Sequence, residues 1–445
     1  MTVFKAFILF VKVFFAKQTN CNNVYSIANH SLFKKPSYRI QKDQLKDSLI
    51  GFKYLVKSIL LIFNRQKNFE HLVKGECLIF DGDFNQKNNR LEYISNVTKY
   101  KKSELSYIAL NRYTISKPIV KKIQLSLFVF FVSFLIMPFT FFSKNRALYA
   151  LFLLTVVENI LLVDLMKRNN KSYLFYFFPF ENDANFSALL LMKNNIKVHK
   201  VPGPNSLFHN HKMFISDTVS FCSKFQLNQY EKIKVNWRVD SIQSWPLYAF
   251  KSLLPYLNKF EQHSNYKFNL GFISSGIWRR EELKKIPIKR ADFSSEKKLI
   301  EFIKNYCFSR KIKEIFIFLH PIEKNDQLTY ENSISFYENE FSNIKCHFPK
   351  YEQESYESFD LVETTLAAHS SANLQRLFSG YKTLYALFDY ELNMFKDSEL
   401  ENISFLDEKS LASSLDKVIK MSETKYFTDY KLYSYTYKEF SNYIN

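Results

Sequence analysis

The chain holds 445 residues, with 62 Lys and Arg against 43 Asp and Glu for a formal net charge of +19, so it has the length of two or three domains and is strongly basic. An aromatic content of 18% and a hydrophobic content of 47% supply real cores, which excludes a disordered chain and a small disulfide-stapled module. Only seven glycines occur where average usage gives roughly thirty; no G-x-G-x-x-G can be written, and the one pair at Walker spacing, Gly271 and Gly276, runs on into Ile277 and Trp278, so dinucleotide and P-loop readings fall.

In chain order, Met1 to Ala16 is apolar but is interrupted by Lys5 and Lys12, and no small-x-small cleavage site follows it. It reads as an interfacial helix. Leu45 to Phe63 has apolar residues on a helical period, with Lys46, Lys53 and Lys57 on the other side, as in an amphipathic surface helix. Cys77 to Phe80 reads as a short strand ending in Asp81-Gly82-Asp83. That triplet resembles a metal-holding D-x-D, but Asp-Gly between apolar runs is also the commonest hairpin signal, and a turn is the expectation. Residues 123 to 143 form an uncharged run of 21, bracketed by Lys121, Lys122, Lys144 and Arg146. It is long enough to cross a bilayer, or to pack as a hydrophobic helix inside a domain. Ala147 to Met166, broken by Glu158 and Asp164, reads as an amphipathic or buried helix.

Beyond residue 170 short apolar runs alternate with helical stretches. Strands are expected at 172–178 and 196–201 around a helix at 185–193, with Pro202-Gly203-Pro204 as a stop. The rhythm resumes with strands at 268–273, 314–319, 344–347, 359–367 and 383–388 and helices at 295–308 and 372–379. Such alternation implies a mostly parallel sheet covered on both faces. The expected class is therefore α/β with two Rossmann-like domains and hydrophobic, membrane-associated helices in the N-terminal half. The expected division is a membrane-associated helical and strand region at 1–170 that forms part of the first domain, the Rossmann-like part of that domain at 171–250, a second Rossmann-like domain at 251–420 and a C-terminal helix at 421–445.

The five cysteines form no C-x-x-C, which excludes a zinc ribbon and a thioredoxin motif and fits a reducing, cytosol-facing environment. The lysines are dispersed and no nucleic-acid recognition motif accompanies them, so an anionic membrane surface, not a nucleic acid, is the partner expected for the charge.

Ligands of open α/β sheets bind beyond the carboxyl ends of the strands. Four such places carry chemistry: Ser274-Ser275-Gly276, His320-Pro321, His369-Ser370-Ser371, and the segment holding Glu181 and Asp183. Ser371 is the expected N-cap of a helix stopped by Gly380, whose amides attract phosphate, and Ser370 adds a second hydroxyl. His320, closing a wholly apolar strand, can donate to a phosphate oxygen. Arg279 and Arg280 follow Gly276 and suit an anionic sugar or phosphate, or open a solvated helix. His209 and His211 lack a third ligand at a workable spacing and read as loop residues.

LHPIEK at 319–324 and AHSSANLQRLFSGYKTL at 368–384 resemble the paired HP and SS motifs of bacterial GT-B-type surface-polysaccharide glycosyltransferases, in particular bacterial sialyltransferases and polysialyltransferases. FENDANFSALLLMKNNIKVHKVPGPN at 180–205 is similar to the start of the acceptor domain in polysaccharide-locus relatives. The resemblance covers roughly residues 150 to 420 and is specific in the HP and SS motifs. It implies a nucleotide-sugar donor, with a CMP-linked sugar among the candidates, whose phosphate His320, Ser370 and Ser371 would bind; Pro321, Ser274, Ser275, Gly276, Arg279 and Gln375 are the further donor-binding candidates. It also implies transfer to a glycan or lipid-linked acceptor in the cleft, with Glu181 or Asp183 as the general base. No cofactor or metal is expected, and the implied location is the cytoplasmic face of the inner membrane, peripheral or by a single span. Two departures stand. The acidic motif of the sialyltransferases ends in Gly, whereas here it reads Glu181-Asn182-Asp183-Ala184; and Gln375 stands where many GT-B enzymes carry a ribose-binding Glu. They keep open a catalytically inactive GT-B-shaped scaffold of a polysaccharide assembly complex, and Asp81 with Asp83 keeps open a GT-A-like metal-dependent transferase.

Overall fold

In the computed structural model, described residues are 2–16, 25–26, 28–29, 44–63, 75–81, 87–109, 119–142, 146–177, 184–201, 215–232, 238–245, 266–283, 291–368, 370–389, 395–396 and 398–444. The chain is an α/β protein with two six-stranded Rossmann-like sheets, every pairing in them parallel. It divides into two compact units, Met1–Phe221 with Asn228–Tyr248, and Cys222–Leu227 with Ala249–Asn445.

The first unit contains α1 (Thr2–Phe14), α2 (Gln44–Phe63), β1 (Cys77–Asp81), α3 (Lys87–Val97), β2 (Leu105–Ala109), α4 (Ile119–Phe142), α5 (Arg146–Arg168), β3 (Tyr173–Tyr176), α6 (Ala184–Met192), β4 (Lys197–Lys200), β5 (Ile215–Phe221) and β6 (Arg238–Ser244). Its strand order is β2-β1-β3-β4-β5-β6. Side chains alternate across the sheet as the pleat requires. Leu78, Phe80, Leu174, Tyr176 and Val198 face a core built by α1, α4, α5 and α6, whereas Cys77, Ile79 and Phe175 face α3 with Tyr93, Tyr107 and Trp245.

The long helix α5 is the centre of the first core. Residues Phe152 to Met166 are almost all buried, Asp164 included, while Glu158 reaches Lys57 of α2 at 3.6 Å. It is a buried helix, not an amphipathic one. Among the described residues no helix is long and apolar enough to cross a membrane, which corrects the single-span alternative for residues 123–143. The run instead splits by face: Leu125, Phe128, Val129 and Val132 are buried, while Leu127, Phe130, Phe131 and Phe134 are exposed. Helix α1 does the same, burying Ala6, Leu9, Phe10 and Val13 and exposing Phe4 and Ile8, with Phe15 exposed just past its end. Helix α2 packs through small residues, Gly51 and Ser58, and leaves Phe52, Val56, Ile59 and Leu60 outward.

The second unit contains β7 (Phe268–Ile273), α7 (Ile277–Glu282), α8 (Ala291–Arg310), β8 (Glu314–Phe318), α9 (Gln327–Glu340), β9 (Lys345–His347), β10 (Val362–Ala367), α10 (Ser371–Phe378), β11 (Lys382–Ala386), β12 (Ser404–Phe405) and α11 (Glu408–Val418), with short helices at Glu423–Asp429 and Tyr437–Ile444. Its order is β12-β11-β10-β7-β8-β9. Counted from β7 this is 3-2-1-4-5-6, the doubly wound order, in which the chain reverses direction across the sheet between β7 and β10. Residues Ile315 to Phe318 and Leu366 to Ala368 are wholly or almost wholly buried, as expected of central parallel strands covered on both faces. β10 starts at Val362, later than 359, because Ser355–Leu361 winds into a 3-10 segment first.

Candidate functional site

The carboxyl end of β7 leads into Ser274, that of β8 into His320, and that of β10 into Ser370, so three expected segments meet one sheet edge at the switch point. With β7 between β8 and β10, the outer two segments lie about 10 Å apart by the inter-strand spacing.

His320 caps a 3-10 turn, Pro321–Glu323, with Pro321 at its first position fixing the backbone. Ile322 N–H donates to His320 Nδ1 at 3.1 Å, and Nη2 of Arg280, on α7, lies 3.2 Å from Nε2. Burial, with Arg280 and Lys324 nearby, lowers the imidazole pKa to about 4, so the ring is neutral at pH 7. A neutral ring has one lone pair. It accepts either from Ile322 N–H at Nδ1 or from the Arg280 guanidinium at Nε2; with the lone pair on Nδ1, the Nε2–H and the guanidinium stand side by side as donors.

The Ser274-Ser275-Gly276 loop is tied inward. Gly276 N–H donates to Ser274 Oγ at 2.8 Å, and Ser275 N–H donates to Glu296 Oε2 at 2.8 Å. Gly276 adopts φ 72° and lies against the His320 turn. Arg279 turns from the loop toward its neighbours, pairing with Glu282 and reaching Thr329 Oγ1 at 3.4 Å.

Behind these loops lie groups that the sequence reading missed. Glu296 on α8 and Glu323 on the His320 turn are fully buried, and burial is the first cause of raised pKa values in both, to about 8 and about 7. Glu323 Oε2 accepts His320 N–H at 2.7 Å, and Oε1 accepts Tyr337 O–H at 2.8 Å. The spacing of His320 and Glu323 is that of a capping box, a signal that could have singled out Glu323. Glu296 carries no local signal; it reaches the loop from a long surface-patterned helix.

On the other side of β7, α10 begins one residue earlier than expected. Ser370 is the N-cap, in extended backbone at φ −144°, and its Oγ accepts Ala372 N–H at 3.2 Å; Ser371 is the first helical residue. An Oγ that accepts from the helix keeps its own hydrogen to donate outward. Gln375, one turn on, is half-buried. Gly380, at φ 93°, follows the helix, and Asn373 pins it to the sheet through Thr365 Oγ1 at 2.7 Å and the Leu384 carbonyl at 3.1 Å.

Glu181 and Asp183 lie outside the described residues, as do Gly82, Asp83, His209, His211 and His369; Asp81 is the last residue of β1. Among the described residues no group of three or more His, Cys, Asp or Glu could hold a metal ion.

No protein-family model matches the chain, and no curated protein matches it. Among solved structures, the chain is similar to the wall teichoic acid polymerase TagF, in a variant soaked with CDPG, at 14% identity and a TM-score of 0.43 over 90% of this chain and 95% of that one. It is also similar to the UDP-GlcNAc 2-epimerase from Neisseria meningitidis bound to UDP-GlcNAc, at 12% identity and a TM-score of 0.42 over 81% of this chain and 94% of that one. Likeness at this level assigns neither substrate nor reaction to this chain.

Proposed function

We propose that this chain is a GT-B-like glycosyltransferase that binds a nucleotide-sugar donor at the switch point of its second sheet and transfers the sugar to a surface-polysaccharide acceptor, a growing or lipid-linked glycan. The observation that carries the reading is the donor pair at His320. Arg280 Nη2 lies 3.2 Å from Nε2, so the guanidinium and, with its proton on Nε2, the imidazole stand together at the carboxyl end of the sheet. An anionic oxygen between them accepts from both, and the phosphate of a nucleotide supplies it. The Ser370 hydroxyl and the start of α10 offer further donors at the same sheet edge, about 10 Å off, a span that suits a phosphate with its neighbouring phosphate or ribose.

In the transfer the acceptor hydroxyl oxygen forms the new bond to the anomeric carbon, and the bond from that carbon to the donor phosphate oxygen breaks. The electron pair leaves with the nucleotide. Donors fixed on the phosphate before reaction stabilise the charge that grows there. The hydroxyl proton passes to a carboxylate, for which Asp183 and Glu181 are the candidates. The outward apolar residues of α1, α2 and α4 suit peripheral attachment to an anionic bilayer on the cytoplasmic side, where a lipid-linked acceptor is presented.

Thermal unfolding with CMP, CDP, UDP and GDP tests the donor site. Specific binding raises stability by mass action, about 2.7 kcal/mol for ligand at about 100 times its Kd. One nucleotide should raise the unfolding midpoint of the wild type and not that of His320→Ala. No response to any of the four nucleotides overturns the reading.

A further inference from the structure

Glu323 is fully buried directly behind the His320 turn. It is held from two sides: His320 N–H donates to Oε2 at 2.7 Å, and Tyr337 O–H to Oε1 at 2.8 Å. Tyr337 has one hydrogen, and it points at Glu323, so the contact of 2.6 Å between Ser274 Oγ and the Tyr337 oxygen is a bond donated by Ser274. Ser274 Oγ in turn accepts Gly276 N–H at 2.8 Å. Every donor in this chain therefore points toward one carboxylate, from the loop after β7 at one end and from the turn after β8 at the other. A capping-box acid normally sits in solvent at a helix start. A carboxylate in the interior is expensive unless its hydrogen bonds are complete, and here both oxygens are engaged.

We infer that Glu323 is the positioning residue of the phosphate site: it fixes the backbone turn whose Ile322 N–H caps His320 Nδ1, so that the imidazole presents Nε2–H, and through Tyr337 and Ser274 it locks that turn to the loop after β7. The assignment rests on the proposed donor site for its purpose, but not for its structural content. Glu323 touches no ligand. It acts by selecting the tautomer and placement of His320. Burial favours the neutral form of the group, against which the hydrogen bonds from His320, Tyr337, Ser274 and Trp278 favour the carboxylate, and the buried Glu296 lies within coulombic reach. Protonated, Glu323 loses one acceptor oxygen, and the direction of the Tyr337 and Ser274 bonds must reverse.

The test uses full-length protein labelled with 15N-histidine, with the His320 signals assigned by their loss in His320→Gln. In the wild type the ring nitrogens should report one neutral tautomer, protonated on Nε2. In Glu323→Leu, which fills the space and removes both acceptors, the signals should show a mixture of tautomers, and Glu323→Gln, which keeps an oxygen for His320 N–H, should restore the single one. Where the leucine variant does not fold, Glu323→Ala serves in its place. A single Nε2–H tautomer persisting in the folded Leu or Ala variant overturns the assignment. A second arm follows the nucleotide that stabilises the wild type: its Kd should rise about tenfold in Glu323→Leu, the loss of one well-made charged hydrogen bond, and return in Glu323→Gln. Absence of nucleotide binding in the wild type overturns the donor reading alone, since the tautomer result still decides the role of Glu323.

Discussion

At the scale of single residues, Gly276 shows how closely the site is packed. It sits in the left-handed region at φ 72°, and a Cβ there would lie 2.6 Å from Ile322 Cγ2 and 3.2 Å from His320 Cβ. Gly276→Ala therefore combines backbone strain with a push on the turn that orients the imidazole. The expected cost is about 1 to 3 kcal/mol, read as a lower urea midpoint at unchanged slope in the transition of the second unit. A variant as stable as the wild type would show that the two loops are not in contact in solution. The placement of His320 at a strand end was legible because it closes an apolar strand and is followed by a proline, whereas the cap of α10 reads one residue late, at Ser371, because the strand before it, with Glu363, Thr364 and Thr365, gives a weaker boundary. Glu323 and Glu296 were not legible, because an acid in a helical or turn segment reads as a solvated charge until the tertiary packing puts it inside. Gly276 was legible as a loop residue, but not as the point at which one loop presses on another.

At the scale of elements, strands with continuous apolar runs were legible, and β7 and β8 were placed almost to the residue. Strands β2, β5 and β6 escaped for a physical reason. They lie toward the edges of the first sheet, and β5 carries Asp217 in its middle, where the carboxylate accepts Val198 N–H of β4 at 2.8 Å. Polar residues that serve a neighbouring strand hide the strand that bears them. The run at 123–143 shows the converse limit, since hydropathy counts residues without regard to face. On α4, Phe130 is 67% and Phe134 72% exposed, and most exposed large apolar side chains among the described residues belong to α1, α2 and α4. Apolar rings in water are unfavourable unless an apolar medium meets them. Replacing Phe130 and Phe134 together by Asp should therefore reduce sedimentation with phosphatidylglycerol-containing vesicles severalfold, with stability changed by no more than about 0.5 kcal/mol, as for surface positions. Undiminished sedimentation would show that these helices do not face lipid.

At the scale of the whole molecule, buried acids and buried histidines set opposing pH dependences. In the second unit Glu296 and Glu323 are raised by burial from an ordinary 4.5 to about 8 and about 7. Between those values the folded chain keeps protons that the unfolded chain has lost, so this contribution is complete below 4.5 and disappears as pH rises through 7 and 8. The histidines run the other way. Burial lowers His320 from 6.5 to about 4 and His199, in the first unit and stacked on Trp245 at 4.2 Å, to about 3. Their contribution is present above 6.5 and is lost as pH falls toward 4 and 3, because only the unfolded chain takes up the protons. From 4.5 to 6.5 the two sets oppose one another, and above 6.5 the acids titrate alone. The unfolding midpoint of the second unit should therefore fall between about pH 6.5 and about pH 8.5, and Glu296→Gln, which mimics the protonated acid at every pH, should flatten that limb. The midpoint of the first unit, followed through Trp245, should hold over the same range and fall on acidification instead. An alkaline limb as steep in Glu296→Gln as in the wild type would mean that this carboxyl group is ionised in the fold at neutral pH and that Glu296 is not the source of the limb.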